Sequence, residues 1–487
     1  MNYNIRFSFS SLLSCYVLAV FAHTSLNGNT PIMISQAQIP ITISQPGEYE
    51  LAGNITYNGS GSAITVAANN VKLTLQFSIS LSNPNATGIL VRGASEFVIA
   101  NDFIKNLSTG PQTGFGIHIE NAQKGLIKNI FTINHKNGLL IESSRDIKVQ
   151  GSEFFTAADA SALVRSSTTI AFDSCTFDAS AYGLTFSGSN KDCSVSNSAF
   201  PSAKLSNLLV QQMDGMLVDT CSFTNIAGEA TKANLVQFGD AAPTQVCNDV
   251  IIKNCTIVNK STNKAPEGLG IYHGSGFLVE SCVIDIDNTG QDPAADLSGI
   301  HISNPGLGNG TIATNVIIRQ CVIQGPATDG IYPDTGPGGS AGSQNILIEN
   351  CLVTGAQKDG IFLAGTGACT VRDNVVVNNG TNGIFVGETS VSNLIINNAI
   401  SNNGSAIIRS SLLPRGNGIG IASDSSKNII QGNQVYNNAV YGIDDLGTNN
   451  QSFFNTAYGN ATANYSAGIT NNSSPGAASK AAENISA

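Results

Sequence analysis

Along this chain one short phrase of apolar and polar positions returns about every 23 residues. It reads as an apolar residue, two polar positions that often include Asn, a small residue, then two positions of apolar character. Ile127-Lys128-Asn129-Ile130-Phe131, Ile252-Lys253-Asn254-Cys255-Thr256-Ile257 and Val279-Glu280-Ser281-Cys282-Val283-Ile284 are examples. Anchored on the first apolar residue, the phrase falls at 75, 99, 127, 149, 172, 195, 218, 252, 279, 318, 348, 371, 396, 430 and 454. The longer steps read as the same unit carrying an inserted loop. A fixed period of this length predicts a solenoid.

A second phrase, Gly-Ile-x-apolar or Gly-Leu-x-apolar, precedes most anchors. It occurs at Gly88-Ile89, Gly116-Ile117, Gly138-Leu139, Gly183-Leu184, Gly299-Ile300, Gly330-Ile331, Gly360-Ile361, Gly383-Ile384, Gly418-Ile419 and Gly442-Ile443. Both phrases alternate with period two and are rich in Ile and Val, which predicts strands. Past residue 30 no stretch holds a 3.6-residue period long enough for a globular helix. Each unit therefore needs two or three short strands with tight turns. A single unit cannot bury its apolar face, so stacked coils with parallel pairing between rungs are predicted. About 15 rungs at roughly 4.8 Å give an all-β rod of about 70 Å. The glycine before Ile is expected at a corner that needs an unusual φ.

Composition fits such a rod. Charged residues make up 11% of the chain, about half the usual share. Asn recurs at turn positions such as Asn101, Asn129, Asn197, Asn254 and Asn350. It tolerates left-handed turns and can bond its own image in the next rung. The net charge of −10 and the lack of a basic patch exclude a nucleic-acid partner. The repeat is unbroken, so one domain is expected despite the length.

These repeats resemble the right-handed parallel β-helix superfamily with the pectate-lyase-like fold. They are most similar to secreted β-helix repeat proteins of the NosD-like and carbohydrate-sulfohydrolase-like kind. The opening Ile41-Thr42-Ile43-Ser44-Gln45-Pro46-Gly47-Glu48-Tyr49-Glu50-Leu51, then Ala63-Ile64-Thr65-Val66 and Asn70-Val71-Lys72-Leu73-Thr74-Leu75, is similar to the way such helices begin. The family's Asp-Leu-Asn-Gly-His-like continuation is replaced here by Leu75-Gln76-Phe77-Ser78-Ile79. The resemblance covers residues 35–465 and implies a single right-handed parallel β-helix. It implies no one activity, because the fold hosts many.

The ends read differently. Residues 1–22 carry Arg6, an apolar run and Val20-Phe21-Ala22 as a cleavage site, which predicts a Sec-type signal. A lipoprotein site at Cys15 fits less well, because the apolar run continues beyond it. Residues 23–34 are expected to link the signal to the helix, and 466–487, rich in Ser, Asn, Ala and Gly, to form a disordered tail. No later segment is suited to span a membrane. The expected location is secreted, periplasmic or cell-surface.

Cys221, Cys255, Cys282, Cys321 and Cys351 share one repeat position in successive rungs, with Cys175 earlier. Stacked Cβ atoms about 4.8 Å apart lie beyond disulfide range. A straight column also cannot converge on a tetrahedral metal. A ladder of buried thiols is predicted, while Cys193, Cys247 and Cys369 remain free to pair.

The outward position after Gly-Ile carries Leu90, His118, Leu140 and Thr185 early, then Tyr272, His301, Tyr332, Phe362 and Phe385. Five successive rings predict a flat strip on which sugar rings could stack; aromatic residues also ladder on sheets for structural reasons alone. Insertions cluster at the same rungs, at residues 260–269, 287–298, 304–314, 333–344 and 405–417, and would wall a groove. Asp329 and Asp359 precede the Gly-Ile corner in adjacent rungs. Their expected spacing of about 5 Å suits a retaining glycosidase pair, two acids sharing a proton, or a Ca²⁺ site. Ordinary turn chemistry explains them equally simply and is the favoured reading. Asp334, Asp296 and Asp292 lie on neighbouring loops, with His273 and His301 as candidate bases.

Enzyme-family signatures are sparse. Of the polygalacturonase motifs only an Asp-Asp pair occurs, at Asp444-Asp445. Arg92, Arg165, Arg319 and Arg372 do not suit the Arg base of pectate lyases. Asp329-Gly330-Ile331-Tyr332-Pro333-Asp334 is similar to the Asp-Pro-His-Asp site of β-helical alginate epimerases, without its His. Two readings follow. One is a non-catalytic protein that binds extended glycans or a host surface along the aromatic face. The other is a polysaccharide-active hydrolase, lyase or epimerase using carboxylates near residues 329–360. Neither requires a cofactor, unless the Asp pair holds Ca²⁺.

Overall fold

The computed structural model describes residues 30–179, 181–225, 234–239, 245–260, 267–286, 298–303, 313–326, 328–335, 342–404 and 416–466. Among them there is no α-helix, and one 3-10 turn at Gln36–Gln38. Strand follows strand in a parallel solenoid of about 15 turns, as the period predicts. One coil shows the plan: Arg145–Gln150 forms a first face, Glu153–Ala157 a second and Ala160–Arg165 a third. The next coil repeats it at Thr168–Asp173, Thr176–Ala179 and Tyr182–Ser187, each strand pairing in parallel with its counterpart. On the third face the ladder runs from Ile41–Ile43 to Ala463–Tyr465. The proposed signal, and almost all of the proposed tail, fall outside the described residues.

The anchors form one inward ladder on the first face. Ile99, Ile127, Val149, Phe172, Val195, Val218, Ile252, Val279, Ile318, Ile348 and Val371 are in register. Three expected anchors are displaced: the ladder takes Leu73, Ile395 and Ser452, not residues 75, 396 and 454. A period-two pattern fits equally well two residues away, and the apolar run Leu394-Ile395-Ile396 hides its alternation. Phe454 instead sits in a corner at φ 58° and is 67% exposed.

Corner residues explain much of the composition. Asn101, Asn129, Asn197, Asn254 and Asn350 all adopt left-handed φ between 51° and 59°. The Gly-Ile glycines do not; their φ values are not left-handed, and the reason for Gly is close approach. A Cβ on Gly330 would meet the Gly360 carbonyl oxygen and Val353 Cγ1 at 2.3 Å each. Gly299 and Gly360 face Ile323 and Val376 in the same way. The third-face corner thus presses its bare backbone onto the second-face core column.

After Ile55, Ile79, Ile104 and Thr132 that column carries Phe154, Phe177, Phe200 and Phe223, all four rings fully buried. Their rings stack at 5.6, 4.8 and 4.6 Å. It continues in register through Ile257, Ile284, Ile323, Val353, Val376 and Ile400. A neighbouring corner column runs Ser152, Cys175, Ser198, Cys221, Cys255, Cys282, Cys321, Cys351, then Asn374, Asn398, Asn433 and Asn455. In its C-terminal part the Oδ1 of Asn398, Asn433 and Asn455 each accepts from the backbone N–H and the side-chain amide of the Asn one rung back, at 2.9–3.0 Å.

All nine described cysteines are free and buried. Cys193 stacks in register on Met216, and Cys247 on Met213 and Gly274, so neither meets another thiol. The pairing of Cys193, Cys247 and Cys369 that the sequence left open does not form. Burial pushes the thiols of Cys175 and Cys369 up to about 11 and those of Cys193 and Cys247 up to about 12.

Outside the first face, one column alternates in charge. Asp219, Lys253, Glu280, Arg319, Glu349 and Arg372 stand in register. Lys253 contacts Asp219 at 3.3 Å, Arg319 contacts Glu280 at 2.6 Å and Arg372 contacts Glu349 at 2.5 Å.

Candidate functional site

The expected ring strip lies outside the third face, but its register and presentation differ from expectation. His301, Tyr332, Phe362 and Phe385 occupy one column, with Gly270 at its N-terminal end and Gly420 at the other. The ring centroids are 5.0, 5.2 and 5.2 Å apart, and the first two pairs lie within 18° of parallel. The faces of these rings are therefore spent largely on one another, and edges point away from the sheet. Phe385 is only 9% exposed and the other three are half-buried. A flat strip of exposed ring faces is not what forms.

Tyr272 is not the fifth rung of that column. Glu267-Gly268-Leu269-Gly270-Ile271 contains two Gly-apolar steps, and the register uses the first. Tyr272 follows the strand, and its ring folds back over Gly270, where a Cβ would lie 3.1 Å from Tyr272 Cζ. It meets His301 edge-on at 5.9 Å.

This fold-back assembles a polar cluster. Tyr272 O–H donates to Glu267 Oε2 at 2.9 Å, and Asn234 Nδ2 donates to the Tyr272 oxygen at 2.5 Å. His301 Nδ1 lies 2.6 Å from Glu267 Oε1, and Nε2 lies 3.3 Å from Asp334 Oδ2. The side chains of His301, Glu267 and Asp334 are 12%, 8% and 14% exposed. Burial alone would hold His301 neutral; the charges of Glu267 and Asp334, with their hydrogen bonds, outweigh it and push its pKa up to about 10. Burial, then the charge of Glu267, raises the Tyr272 hydroxyl well above its ordinary value. At neutral pH both rings are protonated, so His301 stands as an imidazolium between two carboxylates, a proton donor rather than a base.

A folded-state pKa above the unfolded value of about 6.5 gives a definite pH sense. The stabilisation from His301 is fully present below about pH 6.5 and is lost as pH rises toward about 10. The urea midpoint is expected to fall across that window, and His301→Gln to flatten the fall. An equally steep fall in the variant would show that His301 is not its source.

The two aspartates before the glycine corners are placed inside it. Asp329 Oδ1 accepts the Asp359 N–H at 2.9 Å. Asp359 Oδ1 accepts from the Thr381 hydroxyl, from Asn382 N–H at 2.8 Å and from Asn382 Nδ2 at 2.9 Å. Asn382 continues the pattern to Asn417. Asp329 and Asp359 are 4% and 1% exposed. Both are buried acceptors in a rung-to-rung corner ladder, the arrangement that turn chemistry implies. His273 is fully buried. Asp292 and Asp296, and most of the loops expected to wall a groove, lie outside the described residues. Of the named candidates, Tyr272, His301 and Asp334 meet in one cluster, and Tyr332, Phe362 and Phe385 extend from it. Sequence reasoning missed Glu267, which links the cluster. Its signal was its place before Gly268, equivalent to that of Asp329 before Gly330.

Among the described residues no helix is long and apolar enough to cross a membrane. None of the curated proteins matches the chain. Solved structures with similarity include the mannuronan C-5 epimerase AlgE4 A-module of Azotobacter vinelandii, 14% identical, covering 86% of this chain and 91% of that one, TM-score 0.32. The periplasmic alginate epimerase AlgG is 12% identical over 81% of this chain and 82% of its own, TM-score 0.36. PfbA, a surface adhesin of Streptococcus pneumoniae, is 11% identical over 67% and 82%, TM-score 0.42. The model of the right handed beta helix region matches residues 40–200, 286–409 and 339–484, and the solenoid described above is its fold. By that match and that architecture, the chain belongs to the right handed beta helix family.

Proposed function

We propose that this protein is a secreted or cell-surface β-helix that binds an extended glycan along the outward third face, from Glu267 to Phe385. The observation that carries this reading is the continuity of the ring column with the Tyr272–Glu267–His301–Asp334 cluster. Ring edges offer apolar surface to sugar C–H groups. Carboxylate oxygens and a phenol beside them suit sugar hydroxyls. The four-ring column spans about 14 Å along the axis, so an extended chain, rather than a single sugar, matches it.

Calorimetry with soluble neutral and acidic oligosaccharides tests the reading. Tyr332→Ala is expected to weaken binding by about 1–3 kcal/mol, the scale of one central ring. Equal affinity of the variant and the native protein would remove the column as the binding face.

One observation favours a second reading, in which the face also cleaves or isomerises its glycan. Tyr272 and His301 are two proton donors that share one carboxylate, an arrangement suited to protonating a leaving oxygen. His301→Gln or Asp334→Asn would then lower turnover by far more than it weakens binding. Binding without turnover on any glycan decides for the non-catalytic reading, which the buried positions of Asp329 and Asp359 favour.

A further inference from the structure

We propose that His118, Glu120 and Glu142 form a binding site for one divalent transition-metal ion, on the N-terminal part of the third face. His118 lies in the same outward column as His301, seven rungs earlier, roughly 34 Å away along the axis. Glu120 follows on the same strand, and Glu142 pairs with it in the next rung. His118 Nε2 is 2.8 Å from Glu142 Oε1 and 3.8 Å from Glu120 Oε2. All three donor atoms lie within 4.8 Å of one another.

The geometry is close to what a metal requires. Ligand bonds of about 2.0–2.1 Å in a tetrahedron set neighbouring donors about 3.3 Å apart. The two distances from His118 Nε2 bracket that value, and the carboxylate oxygens stand within 4.8 Å of each other, so rotamer adjustments alone can close the three donors on an ion. Each carboxylate has its other oxygen tethered from outside. Arg92 Nε holds Glu120 Oε1, and Arg165 Nη1 lies 3.6 Å from Glu142 Oε2. One oxygen of each is thereby left turned toward His118. The His118 ring is steadied by Phe115, 5.1 Å away.

The charge pattern points to a cation independently of these distances. The long first-face column alternates in sign at every rung, so no two of its carboxylates stand opposite each other. Here the column reads Arg92, Glu120, Glu142, Arg165, with two carboxylates stacked in register. Like charges directly opposite are destabilising. A histidine nitrogen points between them, and an ion there would neutralise the repulsion.

One imidazole nitrogen and two carboxylate oxygens form a mixed, borderline set, suited to Zn²⁺ or a similar ion rather than Ca²⁺. Side-chain exposures of 15%, 17% and 26% leave the fourth position open to solvent. On binding, the imidazole proton sits on Nδ1 and the Nε2 lone pair goes to the ion.

Calorimetric titration of the chelator-treated full chain with Zn²⁺, and visible absorption with Co²⁺, test this. The expected result is one equivalent bound at micromolar concentration or tighter, with the d–d bands of a low-coordinate Co²⁺ site. His118→Ala and Glu142→Gln should each weaken binding at least tenfold while far-UV circular dichroism is unchanged. Both variants keep every cysteine, so binding that survives in them would place the ion elsewhere and overturn the proposal. So would no binding by the native chain. Glycan binding seven rungs away is indifferent to either outcome.

Discussion

Cys282→Asp is expected to destabilise the middle of the rod by about 4 kcal/mol or more, the largest effect of any single exchange considered. Cys282 is 1% exposed, and its thiol points to the Glu280 and Ile252 carbonyl oxygens, 3.3 and 3.7 Å away. Carbonyls are acceptors and offer nothing to a carboxylate. The backbone N–H of Cys255 can donate to one oxygen, as the N–H one rung back does in the Asn ladder, but the buried charge is otherwise uncompensated, so the acid ionises or binds a proton at a cost in free energy. Cys282→Ser is the control, because Ser152 and Ser198 already occupy this column, and it should cost about 1 kcal/mol. Urea unfolding followed by circular dichroism separates the two. In the native protein the column thiols should alkylate slowly; rapid labelling without denaturant would show that they are not enclosed.

Phe200→Ala is expected to cost about 3–5 kcal/mol. Phe200 is fully buried between Phe177 and Phe223, with ring centroids at 4.8 and 4.6 Å. Gly183 closes the space on the third side, its ideal Cβ only 2.9 Å from Phe200 Cδ1. Collapse into the hole is restricted, because the coils above and below are held by their own ladders. Coils contact only their neighbours, so the damage should be local. Hydrogen exchange is expected to accelerate in residues 172–223 and to remain unchanged in residues 395–455. Uniform acceleration along the chain would mean that the rod unfolds as one unit instead.

Much of the fold was legible because the same burial decision is repeated rung after rung. Ile127, Val149 and Val218 each sit in a similar local pattern, and repetition averages out ambiguity. Where the pattern was degenerate, single positions slipped: residue 75 for Leu73, residue 454 for Ser452. The Gly-Ile corners were visible, but not their cause, since steric pressure from Val353 or Val376 comes from another strand of the coil. The ring column was legible for His301, Tyr332, Phe362 and Phe385, which share a phrase. It was not legible for Tyr272, where two Gly-apolar steps compete. Asp329 and Asp359 were correctly placed at the corner, yet only the hydrogen bonds from Asp359 and Asn382 reveal which way they point. Glu267, and the meeting of His118 with Glu142, depend on register between coils, and loops of unequal length hide that register in a linear text.

The alternating column from Asp219 to Arg372 constrains how such a rod can change length. Removing the coil that carries Arg319 would set Glu280 against Glu349. Removing the coils of both Arg319 and Glu349 would set Glu280 against Arg372 and restore the alternation. Each exposed pair is worth at most about 1 kcal/mol, but the sign is the same at every step of the column. Across these rungs the natural unit of duplication or loss is two coils, not one, although the backbone itself repeats with every coil.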